Sequence, residues 1–201
     1  MARWATFDCY GTLVDWNAGI RSVLGEELLA RYHELEPQVQ AEDPSRSYRG
    51  VLHEVSARLG LEDPDELARS LPEWPVFPEV RESLEDAQSR GWKLAILSNT
   101  DRDFMEASMA SIGVPFEFAI VASEIGSYKP ALGHWRAFEE RVERLPNVHV
   151  AASHFHDVVP AVTLGIPSVW VNRLAESFEP PATREKPDLI ALADTLDELV
   201  G

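Results

Sequence analysis

One short strand, separated by a long helix-forming stretch from every other strand, constrains the fold of this chain most. Arg3–Phe7 (RWATF) is apolar or β-branched and reads as a buried strand. It ends on Asp8, and Gly11-Thr12 then turns the chain. The next strand-like segment is Lys93–Leu97. Between them, Asn17 to about Glu36 places Ile20, Val23, Leu24, Leu28 and Leu35 at helical spacing. Pro37 to Pro44 reads as a breaker-rich link, and Ser47–Leu59 as a second amphipathic helix stopped by Gly60. Asp63-Pro64 opens a short third helix, and Leu71–Pro78 is a proline-rich exit.

From Glu79 onward, helices alternate with strands. Helices are expected over Glu79–Arg90, Asp101–Ile112, Leu132–Leu145 and Val158–Leu164. Strands are expected over Lys93–Leu97, Phe118–Val121, Val148–Ala152 and Pro167–Val171, with Leu189–Ile190 as a last edge strand. Such alternation specifies an α/β fold with a doubly wound parallel sheet, and the first strand must join it. Residues 1–14 and 78–201 then form a Rossmann-like core, and residues 15–77 a small all-helical insertion over the mouth of the sheet. Asp8 stands at the C-terminal end of a strand, where open α/β sheets bind ligands.

Eighteen Lys and Arg against 34 Asp and Glu give a formal charge of −16. Nucleic acid and anionic membranes are poor partners for that surface. An anionic substrate needs local cations in its pocket, and Arg31 and Lys129 are the ones to expect. One cysteine, Cys9, excludes an internal disulfide and fits a cytoplasmic setting; it reads as a small packing residue. No apolar run reaches membrane-spanning length, and the early strand leaves no room for a signal peptide.

Three further segments converge on Asp8. Ser98 and Asn99 offer a hydroxyl and an amide at the end of Lys93–Leu97, with Thr100 or Asp101 capping the next helix. Ser127-Tyr128-Lys129-Pro130 supplies a lysine to keep Asp8 ionised. After Val148–Ala152 comes Ser153-His154-Phe155-His156-Asp157, with Asp157 at the start of a helix. The two histidines lack a metal-ligand set of matching spacing, so they read as bases that position water and not as metal ligands.

In this order and context, Asp8, Gly11-Thr12, Ser98-Asn99, Lys129-Pro130 and Asp157 resemble the four motifs of the haloacid dehalogenase superfamily across essentially the whole chain. Within it, Tyr10 stands where the magnesium-dependent phosphatases carry a second aspartate, as in the 2-haloacid dehalogenase branch, and Ala152 stands where they carry a metal-binding aspartate. Arg31-Tyr32-His33-Glu34-Leu35-Glu36 resembles the segment whose arginine grips the substrate in that branch. Ala152, His154 and Trp135 depart from the branch, which expects serine, asparagine and tyrosine there.

The resemblance implies metal-independent, cofactor-free hydrolysis of a 2-haloalkanoic acid through an ester on Asp8. Arg31, Tyr10, Thr12 and backbone N–H groups near Leu13 would hold the substrate, and Ser98 and Asn99 its anionic groups. Lys129 would keep the nucleophile charged, and Asp157 with His154, favoured over His156, would activate water. A phosphatase requiring Mg²⁺ and a non-catalytic small-anion binder are the alternatives, and a homodimer is compatible with either.

Overall fold

The computed structural model describes residues 2–201. Strand β1 (Arg3–Phe7) is followed by helices α1 (Trp16–Glu42), α2 (Tyr48–Arg58) and α3 (Glu66–Ser70), and then by α4 (Val80–Ser89). Thereafter β2 (Trp92–Ser98), α5 (Arg102–Ile112), β3 (Phe118–Val121), α6 (Ala122–Ile125) and α7 (Gly133–Val142) alternate. They lead to β4 (Val148–Ala151), a π-helical turn at His154–Val158, α8 (Val159–Thr163), β5 (Ser168–Val171), β6 (Arg184–Lys186) and α9 (Leu192–Val200).

The six strands form one sheet in the order β3-β2-β1-β4-β5-β6, and every pairing is parallel. Phe7, the last residue of β1, pairs with Ile96 of β2 and Val150 of β4. Helices cover both faces, so β4 and β5 are buried at every position and β1 and β2 at nearly every one. β1 lies where the strand order reverses, and a crevice for ligands opens beyond the carboxyl ends of the strands at such a point.

Three sequence expectations change. Pro37 does not end the first helix, which runs on to Glu42; the break is at Gly25, whose φ of 71° belongs to the left-handed region that glycine adopts without strain. The edge strand is Arg184–Lys186, not Leu189–Ile190. Its exposed charged residues carry no apolar signal, and such charges protect an open sheet edge from further pairing. Asp101 makes no side-chain cap for its own helix α5. Its carboxylate instead accepts the N–H groups of Tyr48 (3.0 Å) and Arg49 (2.8 Å), the first turn of α2. That contact seats the helical segment on the core.

The chain passes between core and helical segment through two adjacent stretches. Asp15 N–H donates to the Pro75 carbonyl (2.7 Å), Phe77 N–H donates to the Leu13 carbonyl (3.1 Å), and Val14 bridges Val76 in antiparallel fashion. Among the described residues no helix is long and apolar enough to cross a membrane.

Candidate active site

Asp8 follows the last residue of β1, and Asp157 follows β4 on the adjacent strand. Both carboxylates are buried. Lys129 reaches between them: its Nζ lies 2.8 Å from Asp8 Oδ1, 2.6 Å from Asp157 Oδ1 and 2.9 Å from the Leu97 carbonyl. Thr12 Oγ1 donates to Asp8 Oδ2 at 2.9 Å and accepts the Ala152 N–H at 2.8 Å. Both oxygens of Asp8 are thereby fixed in direction. Asp157 Oδ1 also meets His149 Nε2 at 2.8 Å, and the other ring nitrogen of His149 meets Thr6 Oγ1 at 2.9 Å. Asp157 Oδ2 is buried with no protein partner.

The charges follow from this sharing. Burial pushes Asp8 up, Lys129 pulls it down and Asp157 pushes it up again, leaving its carboxyl above the ordinary range. Asp157 is buried too, yet Lys129 and then His149 hold it below that range. Burial alone would lower Lys129, but Asp157 and Asp8 together raise it, so the ammonium persists at neutral pH. The expectation that Lys129 simply lowers Asp8 is therefore modified: one cation serves two carboxylates.

Above these groups lies a cavity of about 240 Å³. Its floor is Asp8, Lys129, Asp157, Ser98, Asn99, Ser153 and His156. Its opposite wall comes from α1, through His33, Glu36, Pro37 and Gln40, joined by Trp16 and Tyr48. Residues 33, 36, 37 and 40 recur at one-turn spacing and so share a face of that helix. Tyr10 also lines the cavity; its ring stacks on Tyr48 at 6.2 Å and its hydroxyl bonds Ser108 Oγ at 3.0 Å.

Several predicted roles need correction. Arg31 is exposed and paired with Glu34 at 2.6 Å. It precedes His33 by two residues, about 200° around the helix, and so points away from the cavity. The Leu13 N–H donates to the Cys9 carbonyl (2.8 Å), as does that of Thr12 (3.3 Å), so neither is open to a substrate. Leu13 is wholly buried in the core, and Thr12 braces Asp8 without facing the cavity. Asn99 accepts the Lys129 N–H (2.6 Å) and donates to the Lys129 carbonyl (3.0 Å), so it positions the lysine backbone. Ser98 faces the cavity with its hydroxyl unpartnered.

His154 turns away from the cavity and is buried elsewhere: its Nε2 lies 2.8 Å from the Pro180 carbonyl, and its ring packs on Trp170 and Phe178. His156 faces the cavity instead, with Nδ1 3.0 Å from Ser153 Oγ. Burial lowers its pKa, so it is neutral at pH 7. Cys9 is buried, and its thiol is pushed well up by that burial and by Asp8, which suits packing and not nucleophilic attack.

The sequence reading passed over His149 and Glu36. His149 sits mid-strand between valines, where only its pairing with Thr6 and Asp157 reveals a polar role. Glu36 sits in an amphipathic helix and signals nothing until that helix is docked.

A Mg²⁺ site needs several hard oxygen donors around one point. Here Asp8 has both oxygens engaged, the Tyr10 side chain is bonded to Ser108, and Ala152 supplies no carboxylate. Among the described residues no group of three or more His, Cys, Asp or Glu side chains is placed to hold a metal ion. The donor set does not fit one.

The chain is 24% identical over 194 residues to (S)-2-haloacid dehalogenase 4A of Burkholderia cepacia, covering 85% of this chain and 83% of that protein. It is 29% identical over 191 residues to phosphoserine phosphatase of Thermus thermophilus, covering 87% and 73%. The fold superposes on L-2-haloacid dehalogenase from Xanthobacter autotrophicus with a TM-score of 0.82 at 20% identity, over 98% of this chain and 99% of that one. The model of the haloacid dehalogenase-like hydrolase family matches residues 2–153, three quarters of the chain, and the protein belongs to that family of hydrolases.

Proposed function

We propose that this hydrolase releases halide from a small 2-halo carbonyl compound, through an ester on Asp8 and without a metal ion. The observation that carries the reading is the directed, buried Asp8 carboxylate facing a small cavity, with Tyr10 two residues on where an aspartic acid would protonate a leaving group. Halide departs without protonation, whereas an alkoxide leaving group needs a proton donor. The 2-haloacids named for its relatives are the reference substrates.

In the first half-reaction an oxygen of Asp8 attacks the carbon bearing halogen. The new C–O bond forms as the C–X bond breaks, and the electron pair leaves with halide. Asp8 becomes a neutral ester, and Lys129 remains paired with Asp157, so the floor stays balanced. In the second half-reaction, water held by Asp157 Oδ2 attacks the ester carbonyl of Asp8. The neutral imidazole of His156 takes its proton, as its lowered pKa allows. As the C–O bond breaks, the imidazolium of His156 returns the proton to the departing oxygen, so the hydroxy product leaves with an oxygen that came from Asp8, and the new carboxyl loses its proton to solvent to restore the carboxylate. Enclosure by the helical wall keeps other water from the carbon during displacement.

The test measures halide and phosphate release, each with and without EDTA. Halide from 2-chloropropionate or its amide should be undiminished by chelation. Phosphate release that stops with EDTA and returns with Mg²⁺, without halide release, would replace this reading with the phosphatase one.

A further inference from the structure

The cavity holds its reactive floor in charge balance but leaves its far wall acidic. Lys129 is the one lysine or arginine on its lining, and its three hydrogen bonds go to Asp8, Asp157 and the Leu97 carbonyl. Burial lowers His33 as well as His156, so neither ring is a cation at pH 7. Arg31 points to solvent, and the N–H groups of Gly11, Thr12 and Leu13 are engaged within their own turn. The Ser98 hydroxyl is left unpartnered, but among the described residues no second cation on the lining is left to balance a carboxylate on a substrate.

On that wall stands Glu36, buried and without an ion-pair partner among the described residues. The side-chain amide of Gln40, one turn on, donates to Glu36 Oε1. That bond holds the carboxylate in the wall, beside Pro37 and across from the floor. A desolvated carboxylate strongly disfavours a second anion nearby and favours a hydrogen-bond donor.

We propose that Glu36, braced by Gln40, is the residue that sets substrate choice by accepting a hydrogen bond from an N–H of an uncharged 2-haloamide, in preference to a 2-haloalkanoate anion. This rests on the reading of Asp8 as the displacing group. An amide keeps a carbonyl beside the carbon under attack, which speeds displacement as a carboxyl group does. It adds two N–H donors that a carboxylate lacks. The chemistry at Asp8 is the same for both, so the discrimination falls on binding.

The experiment compares 2-chloropropionamide with 2-chloropropionate by halide release, in the parent protein and in Glu36→Gln. Lactamide and lactate, the corresponding hydroxy products, are titrated in parallel by calorimetry, which reads recognition without chemistry. At pH 8.5, where Glu36 is ionised, the amide should be favoured in kcat/KM by at least about tenfold, the worth of one good hydrogen bond to a charged acceptor. In Glu36→Gln that preference should fall to about threefold or less, through a higher KM for the amide with kcat nearly kept, and lactamide affinity should fall in parallel. Preference for the acid in the parent, or an unchanged ratio in the variant, overturns the proposal while leaving the role of Asp8 standing. Absence of halide release from either compound, with lactamide still bound in a Glu36-dependent way, overturns the displacement reading and keeps the recognition role. No halide release and no selective binding overturn both.

Discussion

The two walls of the cavity are built on opposite principles. On the core side, each buried ionic group meets another: Asp8 and Asp157 share Lys129, and His149 ties Asp157 back to Thr6 within the sheet. Asp8 and Asp157 follow β1 and β4, Thr6 and His149 lie within those strands, and Lys129 precedes α7, so the sheet anchors their separations. On the helical side, Glu36 has a neutral amide for company and its carboxyl is raised from an ordinary 4.5 to about 7 by burial. A paired cluster is stable at rest and indifferent to what lies above it. An unpaired buried acid is a standing expense in stability that a suitable ligand relieves, which is how a wall of this kind discriminates.

Removing the Asp8 carboxylate, the proposed nucleophile, is the most drastic way to break the core-side wall. Asp8→Asn should cut turnover by at least about 10⁴-fold, since a neutral amide is a poor nucleophile. With the parent protein, single turnover in ¹⁸O-labelled water should give an unlabelled first product; label in that product would mean direct attack by water on carbon.

Lys129→Met should come next, leaving two buried carboxylates opposed. Loss of about 3–5 kcal/mol is expected in urea denaturation at pH 7. Any surviving activity should show its acidic limb displaced to higher pH, because Asp8 must be ionised to attack and has lost the cation that favours that form. An unmoved limb would remove Lys129 from this role.

The helical wall is tested by Glu36→Gln in the opposite sense. A carboxyl whose folded pKa lies above its unfolded value loses folding stability as pH rises from about 4.5 to about 7, and the full loss persists above that. The variant should therefore gain on the parent by up to about 3 kcal/mol between pH 4 and pH 8, a ceiling set by the size of the shift. Denaturation curves at both pH values would show it; a difference independent of pH would mean Glu36 is not raised.

Smaller effects separate the two histidines. His156→Ala should release a burst of halide and then accumulate the Asp8 ester, visible as added mass on the intact protein. His154→Ala should turn over normally and lose about 1–2 kcal/mol of stability, from the ring packing and one hydrogen bond. Arg31→Ala should change least: its exposed pair with Glu34 is worth under about 1 kcal/mol, and KM should not move.

The fold was readable in the chain because its evidence is periodic. Strands buried on both faces are continuous apolar runs, and helices between them show one apolar stripe, so sheet class and helical insertion followed without further information. Asp8, Lys129 and Asp157 were readable because they follow a strand's end, precede a proline or open a helix, positions that place a side chain at the sheet mouth. What failed depends on rotation about an axis or on the hydrogen bonds of single groups. Arg31 and His33 differ by two residues, and only the docked helix decides which one faces inward. His154 and His156 differ by two as well, within a π-helical turn whose geometry no spacing rule anticipates. The N–H of Leu13 was expected to meet substrate but is taken by Cys9, a bond that exists only once the turn has closed.

The paired stretches at Leu13–Asp15 and Pro75–Phe77 have a consequence for how such a protein can be altered. The chain leaves the sheet and returns to it at one place, with the outgoing and incoming backbones bonded to each other. Residues 16–74 are thus attached as a side branch, and the register of β1 against β2 and β4 does not run through them. Another helical branch could be grafted between the same two stretches, and the reactive aspartate would keep its place beside the lysine. The groups proposed for displacement and the residue proposed for selection therefore sit on different lengths of chain.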